Sequence, residues 1–265
     1  MDAAYVTLVT NDDYALGALA LARSLKRVDP DHPLVVMTTH SDLALDPLLA
    51  EGCKVMSVER LPCSDAFNER HTRERQHTTA PFTKGNKPKF HDPLDNFCKL
   101  RLWELEQFER VVFIDADAIV VRDISKLFRY PEFTAAPNLY ETLADMHRLN
   151  SGVFVARPSK RTFADMLNQM DQPDVFWRRT DQTFLESYFP DWHGLPYTYN
   201  ALQYIYFNLP ALWHWPSIHV VHYQYEKPWE QDHPKRDQLK PLIDLWYAAL
   251  EGRDLPSELP TLIDN

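Results

Sequence analysis

Two aspartates interrupt an apolar stretch near the middle of the 265-residue chain. Residues 111–114 are Val-Val-Phe-Ile, Asp115 and Asp117 follow with one alanine between them, and apolar residues resume at 118–121. An unbroken apolar run with β-branched and aromatic residues is typical of a strand that is buried on both faces. Because unpaired carboxylates are costly to bury, we expect a cation or hydrogen-bond donors to match both aspartates.

The spacing of the two aspartates indicates what could bind them. Side chains two positions apart on an extended segment project to the same side and can meet on one ion where the chain turns. Ligands of open α/β sheets bind at the carboxyl ends of the strands. We therefore expect a hard divalent metal ion that bridges the protein to a diphosphate. The alternative is that one aspartate starts a turn and the other caps a short helix over 124–128, since so short a motif also matches by chance.

The composition excludes several classes of protein. A formal net charge of -10 argues against nucleic acid as a main partner, because phosphate binding needs a basic surface. The chain has only six glycines and no Gly-rich phosphate loop. Its three cysteines, Cys53, Cys63 and Cys98, lack metal-ligand spacing and are expected to be reduced. We find neither a membrane-spanning apolar stretch nor a signal-peptide pattern, so the expected compartment is the cytoplasm.

The segments around the aspartates alternate between strand and helix patterns. Strands are predicted at 3–10, 34–38, 54–58, 133–137, 152–156 and 218–222, and helices after residue 11 and at 46–51, 96–108, 160–170, 183–188 and 237–250. This alternation predicts an α/β fold with a mostly parallel central sheet and right-handed crossovers. We expect a single domain over residues 1–252 and a loose, Pro-rich tail over 253–265.

Two regions have an unusual composition. Residues 65–95 form a Thr- and Pro-rich segment with six basic residues, Arg70, Arg73, Arg75, Lys84, Lys87 and Lys89. We interpret it as a lid over an anionic ligand or as a contact for an anionic acceptor or lipid surface, with a solvated loop as the alternative. Aromatic residues dominate from residue 195 to 229, where they could stack on sugar rings or simply form core.

Six short segments occur in an order that one protein family shares. They are residues 7–14 (Thr-Leu-Val-Thr-Asn-Asp-Asp-Tyr), 113–117 (Phe-Ile-Asp-Ala-Asp), 150–155 (Asn-Ser-Gly-Val-Phe-Val), 181–182 (Asp-Gln), 195–200 (Leu-Pro-Tyr-Thr-Tyr-Asn), and 220–222 (Val-Val-His) with 227–229 (Lys-Pro-Trp). Each match alone is weak, whereas six in order over about residues 3 to 230 are specific. The chain resembles the retaining glycosyltransferases of family eight, the group that holds glycogenin and galactinol synthase.

This resemblance implies a Rossmann-like GT-A fold that binds a UDP-sugar and Mn²⁺, with Mg²⁺ as the alternative ion. The residues that would hold the uridine are Leu8, Thr10, Asn11 and Tyr14, with the Tyr14 ring on uracil, and the backbone of Ala116 would touch the ribose region. The metal ligands would be Asp115, Asp117 and His222, and Lys227 would bind the diphosphate. The residues that would line the donor sugar are Asn150, Ser151 and the catalytic residues Lys99, Asp181 and Gln182.

The implied roles agree with the expected chemistry. A divalent ion and a nearby lysine stabilise the charge that develops on UDP as the anomeric bond breaks. Asp181 would act as a nucleophile or would stabilise an oxocarbenium-like ion during same-face attack, and the sequence leaves both open. The predicted activity is metal-dependent, retaining transfer of a hexosyl unit from a donor of the UDP-glucose or UDP-galactose type. The acceptor could be a saccharide, a polyol or a lipid headgroup, and a homodimer is among the open oligomeric states.

The chain departs from glycogenin at three places. Asn208 stands where we align the tyrosine that glycogenin glucosylates, so self-priming is not expected. The segment 223–226 is one residue shorter than the corresponding segment of glycogenin and lacks its glycine. Whether its backbone contacts the diphosphate is therefore open. Arg178 stands where glycogenin has an aspartate facing the donor sugar. Because arginine binds carboxylates bidentately, UDP-glucuronate is an alternative donor, although Arg178 could also point to solvent.

Two other classes of protein remain as alternatives. An apolar strand followed by two spaced aspartates also begins the haloacid-dehalogenase phosphatases, although their motif usually lies on the first strand. An inactive protein that only binds a nucleotide sugar would keep the same fold.

Overall fold

The computed structural model describes residues 2–79 and 92–259. Their strands are β1 Ala3–Val9, β2 Leu34–Thr38, β3 Lys54–Ser57, β4 Arg110–Ile114, β5 Ala118–Val120, β6 Thr134–Pro137, β7 Leu149–Ala156, β8 His193–Gly194, β9 Ala201–Leu202 and β10 Val220–His222. Their α-helices are α1 Asp12–Val28, α2 Asp46–Ala50, α3 Asp65–Arg70, α4 Arg73–Thr79, α5 Pro93–Phe97, α6 Lys160–Met170, α7 Asp181–Tyr188, α8 Gln203–Asn208 and α9 Lys240–Leu250. Short 3₁₀ helices lie at 98–104, 125–129, 143–147, 197–199, 210–212 and 215–217.

The strands form one large and one small sheet. The large sheet has the order β3-β2-β1-β4-β7-β6-β8. Its first four strands are parallel, and β7 runs antiparallel to both β4 and β6. The small sheet has the order β5-β10-β9. The structure therefore confirms the predicted α/β domain with a mostly parallel central sheet.

Both faces of the central sheet are covered, as the apolar strands predict. Tyr5 and Val112 pack in the core on one face, and Val6 and Phe113 pack in the core on the other. All four side chains are fully buried. The alternation follows from the two-residue period of strands, and it explains why neither β1 nor β4 has polar residues at every second position.

The stretch that contains the two aspartates joins the two sheets. β4 ends at Ile114, the chain turns at Asp115, and β5 begins at Ala118 in the small sheet. The turn is closed by a hydrogen bond from the Ala118 amide to the Asp115 carbonyl, at 3.1 Å. The apolar run that reads as continuous in the sequence is thus divided by the turn that carries both carboxylates.

The predicted basic loop is partly helical. Helices α3 and α4 occupy residues 65–79, and Ser64 caps α3 by accepting the Phe67 amide at 3.1 Å. Arg70 is half-buried and donates to the backbone carbonyls of Gln172 and Val175. The remaining lysines of the predicted lid, Lys84, Lys87 and Lys89, lie outside the described residues.

Two further predictions need correction. The helix expected at 96–108 begins earlier, with α5 at Pro93, and continues as a 3₁₀ helix to Glu104. The tail is not loose throughout, because Leu255 and Leu259 pack against the third hydrophobic core. Most of the late aromatic residues are buried or pack against that core, which supports their structural interpretation. Within residues 2–79 and 92–259, we find no helix that has both the length and the apolar character needed to span a membrane.

Candidate active site

A cleft of about 570 Å³ opens at the carboxyl ends of β1 and β4. It is lined by almost all of the residues selected from the sequence, namely Leu8, Thr10, Tyr14, Lys99, Asp115, Ala116, Asp117, Asn150, Ser151, Arg178, Asp181, Gln182, His222 and Lys227. Asn11 is the exception. Its side chain caps α1 by accepting the Tyr14 amide at 2.9 Å, so its polar group serves the helix.

One end of the cleft contains a cluster of three candidate metal ligands. Asp115 and Asp117 come from the turn after β4, and His222 ends β10, which pairs with β5 beside that turn. The His222 Nε2 lies 3.2 Å from Asp117 Oδ1 and 3.8 Å from Asp115 Oδ2. One ligand atom from each residue lies within 4.8 Å of the others. Two carboxylates and an imidazole suit a divalent ion such as Mn²⁺, so the residues fit the expected metal.

A chain of amide side chains orients His222. The His222 Nδ1 lies 2.8 Å from Asn200 Oδ1, which can only accept a hydrogen bond. In the neutral imidazole that a metal ion would bind, this acceptor keeps the proton on Nδ1, so the Nε2 lone pair faces the carboxylates. Asn200 donates to Asn150 Oδ1 at 2.7 Å, and Asn150 donates to Asn138 Oδ1 at 2.9 Å. The amide of Asn150, expected at the donor sugar, is thus engaged in this chain.

Lys99 connects the metal end of the cleft to its other end. Its ammonium lies 3.0 Å from Asp115 Oδ1 and 2.9 Å from Asp181 Oδ2. Burial alone would lower the pKa of Lys99, but Asp115 and Asp181 outweigh it and raise that pKa. Lys99 therefore stays charged.

The carboxylate of Asp181 receives donors on both oxygens. Ser151 Oγ donates to Oδ2 at 2.7 Å, and Thr180 Oγ1 donates to Oδ1 at 2.9 Å. Asp181 is buried and is the first residue of α7, two residues before the predicted start of this helix. The N-cap position belongs to Thr180.

Lys227 lies at the metal end, opposite Lys99. It donates to the Asp117 carboxylate and, at 2.9 Å, to the Tyr223 carbonyl. Burial alone would raise the pKa of Asp117, but Lys227 and His222 hold that pKa well below its usual range. Lys227 also lies 5.6 Å from the centroid of the Tyr14 ring, which contacts Trp229 edge-on at 5.7 Å. The ring predicted to stack on a base therefore lies beside the lysine predicted to bind the diphosphate.

The shortened segment before Lys227 has an unusual backbone. Tyr225 has φ of 67°, a left-handed conformation that favours glycine and is rare for an aromatic residue. Gln203 holds the segment in place by donating to the carbonyls of Gln224 at 2.6 Å and Glu226 at 2.8 Å. The Glu226 carboxylate in turn pairs with Lys235 at 2.9 Å. Tertiary contacts thus impose the conformation that a glycine would adopt without strain.

The open side of the cleft contains residues that sequence reasoning missed. Arg148, Arg179 and Tyr140 line the cleft together with the expected Arg178. Arg178 and Arg179 are exposed, whereas Lys99, Asp117 and Asp181 on the floor are buried. The adjacent arginines were visible in the sequence, but nothing there indicated that Arg148 lies at the same opening.

Comparison with known proteins identifies the family. The family model described as glycosyl transferase family 8 matches residues 5–233. The chain belongs to glycosyltransferase family 8. UDP-glucuronate:xylan alpha-glucuronosyltransferase 2 of Arabidopsis thaliana is 30% identical over 244 residues, which cover 85% of this chain and 35% of that protein. Human glycogenin-1 is 34% identical over 251 residues, which cover 90% of this chain and 66% of glycogenin-1.

Solved structures agree with this assignment at the level of the fold. The galactosyltransferase LgtC, in complex with donor and acceptor sugar analogs, has a TM-score of 0.61 and 14% identity, covering 96% of this chain and 97% of LgtC. This similarity confirms the predicted GT-A fold. The family 8 chain spans about a third of the plant relative and about two thirds of glycogenin-1. Membership in family 8 leaves no support for the haloacid-dehalogenase alternative.

Proposed function

We propose that this family 8 glycosyltransferase transfers a hexosyl unit from a donor of the UDP-glucose or UDP-galactose type, with a divalent metal and with retention of configuration. The observation that carries the proposal is the cluster of Asp115, Asp117 and His222 beside Lys227 in one cleft. Such a site suits a metal-bound diphosphate, since it combines oxygen and imidazole ligands with a buried ammonium.

The leaving group would be stabilised at this end of the cleft. A metal ion bound to Asp115, Asp117 and His222 would supply positive charge for the diphosphate. Lys227 would add a second positive charge, because its ammonium already lies among these residues and remains protonated there. Together they would stabilise UDP as negative charge develops on it, which lowers the barrier for breaking the anomeric bond.

Asp181 would act on the transferred sugar. Ser151, Thr180 and Lys99 all donate to or pair with its carboxylate. These contacts hold the carboxylate of Asp181 in a fixed orientation and, because both of its oxygens accept hydrogen bonds, reduce its nucleophilicity. They support a carboxylate that stabilises an oxocarbenium-like sugar during same-face attack more than one that forms a covalent intermediate. Lys99 would position Asp181, and Gln182 would contact the sugar from the same helix end.

UDP-glucuronate is the second candidate donor. Arg178 lines the cleft, and the plant relative is named as a UDP-glucuronate-dependent enzyme. A bidentate pair between Arg178 and the uronate carboxylate would select this donor. We favour an uncharged hexose because Arg178 is exposed on the open side, whereas Asp181 and Ser151 lie on the buried floor.

The acceptor proposal covers a saccharide, a polyol or a lipid headgroup. We do not propose self-glucosylation. Asn208 stands where we align the tyrosine that glycogenin glucosylates, and the neighbouring Tyr206 is fully buried. We propose the cytoplasm as the compartment, and the three free thiols suit a reducing environment. A homodimer stays a prediction, which a mass measurement in solution would test.

The decisive experiment measures UDP release from a panel of UDP-sugars. We expect release by the wild type with Mn²⁺ and none with EDTA. Asp115→Ala should lower the rate by about 10²-fold or more, since it removes a ligand of the charge-stabilising ion. Asp244→Ala is the matched control, because Asp244 lies exposed on α9 and, among the described residues, forms a salt bridge only with Lys240.

Each outcome of this experiment has a distinct meaning. Preference for UDP-glucuronate over UDP-glucose would replace the uncharged donor with the second candidate. UDP binding without turnover across the panel would favour the inactive nucleotide-sugar-binding protein. Absence of both binding and release would refute the proposed function, and so would equal activity of Asp115→Ala and Asp244→Ala.

A further inference from the structure

Two adjacent arginines stand at the open side of the cleft. Arg178 and Arg179 are both exposed and both line the cleft. Within the described part of the chain, neither of them forms a salt bridge. Arg148 lines the same opening and approaches Glu186 at 3.4 Å. A chain with a formal net charge of -10 thus concentrates positive charge at the mouth of its candidate active site.

The carboxylates on the floor of the cleft pair with lysines and not with these arginines. Asp117 pairs with Lys227, and Asp181 pairs with Lys99. Asp115 also lies 3.0 Å from Lys99. The carboxylates that could attract Arg178 and Arg179 inward are therefore already matched. The two guanidinium groups remain available for an anion that enters from outside.

The backbone that presents the arginines is firmly held. Arg70 donates to the carbonyls of Gln172 and Val175, at 3.0 Å and 3.2 Å. His71 Nε2 accepts the Trp177 amide at 2.9 Å, and Gln76 donates to the Trp177 carbonyl at 3.0 Å.

The next residues are held as well. The Arg179 amide donates to Thr183 Oγ1 at 3.0 Å, and Thr180 adopts a left-handed φ of 49°. A fixed backbone reduces the conformational entropy that the arginines lose on binding. Strain that surrounding contacts maintain beside a candidate catalytic residue is typical of functional segments.

We propose that Arg178 and Arg179 bind a carboxylate or phosphate group on the acceptor, so that the enzyme glycosylates an anionic small saccharide or polyol. This inference rests on the proposed function, in which the donor sugar is uncharged and the diphosphate lies at the buried metal end. The acceptor must approach from the open side, because the floor of the cleft is closed by buried residues. Paired guanidinium groups bind carboxylates and phosphates bidentately and would hold the acceptor hydroxyl toward the anomeric carbon.

The test compares charged and neutral probes of one sugar. The protein is loaded with UDP and Mn²⁺, and the binding of glucuronic acid, glucose 6-phosphate and glucose is measured by ligand-observed NMR. We expect at least one anionic probe to bind about tenfold more tightly than glucose, and added NaCl to weaken that binding. The carboxylate and phosphate arms identify which anion the site prefers.

Variants locate the effect. Arg178→Ala with Arg179→Ala should remove the preference for the anionic probe, and Arg178→Lys with Arg179→Lys should recover part of it, since lysine keeps the charge but not the bidentate geometry. Arg161→Ala is the control, because Arg161 is an exposed arginine on α6 that does not line the cleft. It removes one positive charge without changing the open side.

Three results would overturn the inference. The first is that the three probes bind equally or not detectably. The second is that Arg161→Ala loses the preference for the anionic probe as much as the variant with Arg178→Ala and Arg179→Ala does. The third is that the arginine variants change only the KM for UDP-glucuronate relative to that for UDP-glucose. The last result would assign the arginines to the donor. Failure of the proposed function is distinguishable, because it would abolish UDP binding and donor cleavage in the wild type.

Discussion

The close approach of Gly152 to His222 leads to a sharp prediction. A Cβ placed on Gly152 would lie 2.4 Å from His222 Cε1, 2.5 Å from its Nδ1, and 2.8 Å from Asn150 Oδ1. Carbon atoms in contact are separated by about 3.5–4.0 Å, so Gly152→Ala requires a displacement of about 1 Å. The imidazole cannot turn away freely, because it is buried and its Nδ1 is bonded to Asn200 at 2.8 Å.

The expected cost has two parts. Overpacking a rigid core typically costs about 1–3 kcal/mol, so the free energy of unfolding of Gly152→Ala should fall by that amount. Displacing a metal-ligating histidine or its hydrogen-bond partner typically lowers metal affinity about 10- to 100-fold. We expect both effects together, since the methyl group would push His222 away from Asp115 and Asp117 and weaken its bond to Asn200.

The assay combines two measurements on the same preparations. Mn²⁺ binding in the presence of UDP is followed by electron paramagnetic resonance, and unfolding is followed in urea. Gly194→Ala is the matched control, since its new Cβ would meet only the Trp192 ring at 4.0 Å, an ordinary contact. If Gly152→Ala binds Mn²⁺ and unfolds like Gly194→Ala, then His222 is not packed against this strand and the reasoning is refuted.

Two further predictions concern the segments that flank the cleft. Gln203→Leu should raise the KM for the UDP-sugar about tenfold, because it leaves the carbonyls of Gln224 and Glu226 without their donor and an unsatisfied buried polar group costs about 1–3 kcal/mol. Gln231→Leu is the control and should leave the KM unchanged, since Gln231 donates to Tyr247 instead; equal KM values for the two variants would contradict this role. Burial lowers the pKa of His71, so the unfolded chain binds more protons below about pH 6.5 and the free energy of unfolding should decrease as the pH falls. In His71→Gln, the free energy of unfolding, measured in urea across the pH range, should fall less steeply, by up to about 1.4 kcal/mol per pH unit. His147→Gln, which replaces an exposed histidine, is the control. If the slope of His71→Gln equals that of the wild type and of this control, His71 is not a source of the pH dependence.

Local sequence signals predicted several of the helices and strands well. The strand at Leu34–Thr38 and the helix at Lys160–Met170 have the predicted bounds, and α1 begins directly after residue 11, as predicted. These elements are determined by apolar periodicity and by capping residues that are close in the sequence. The start of α7 was misplaced by two residues, because the hydrogen bond between Thr180 and Asp181 is part of the site and not a helix signal.

Family motifs found the site residues but not how they contact each other. The ion pair of Lys99 and Asp181 joins residues that lie far apart in the chain, and neither residue type indicates the other as its partner. The amide chain that orients His222 likewise connects distant positions, and Asn138 has no sequence signal at all. Because such contacts depend on how the sheets pack, they become visible only in the folded chain.

The position of the site between two sheets has a consequence for its stability. Asp115 follows the large sheet, whereas His222 ends a strand of the small sheet, and the relative position of their side chains depends on how the sheets are joined. The small sheet packs in the third core, where Val221 and Trp213 are buried. A cavity in that core would let β10 shift, since packed interiors relax only partly around lost volume. If His222 ligates the proposed metal ion, substitutions far from the cleft will therefore weaken metal binding by shifting His222 alone.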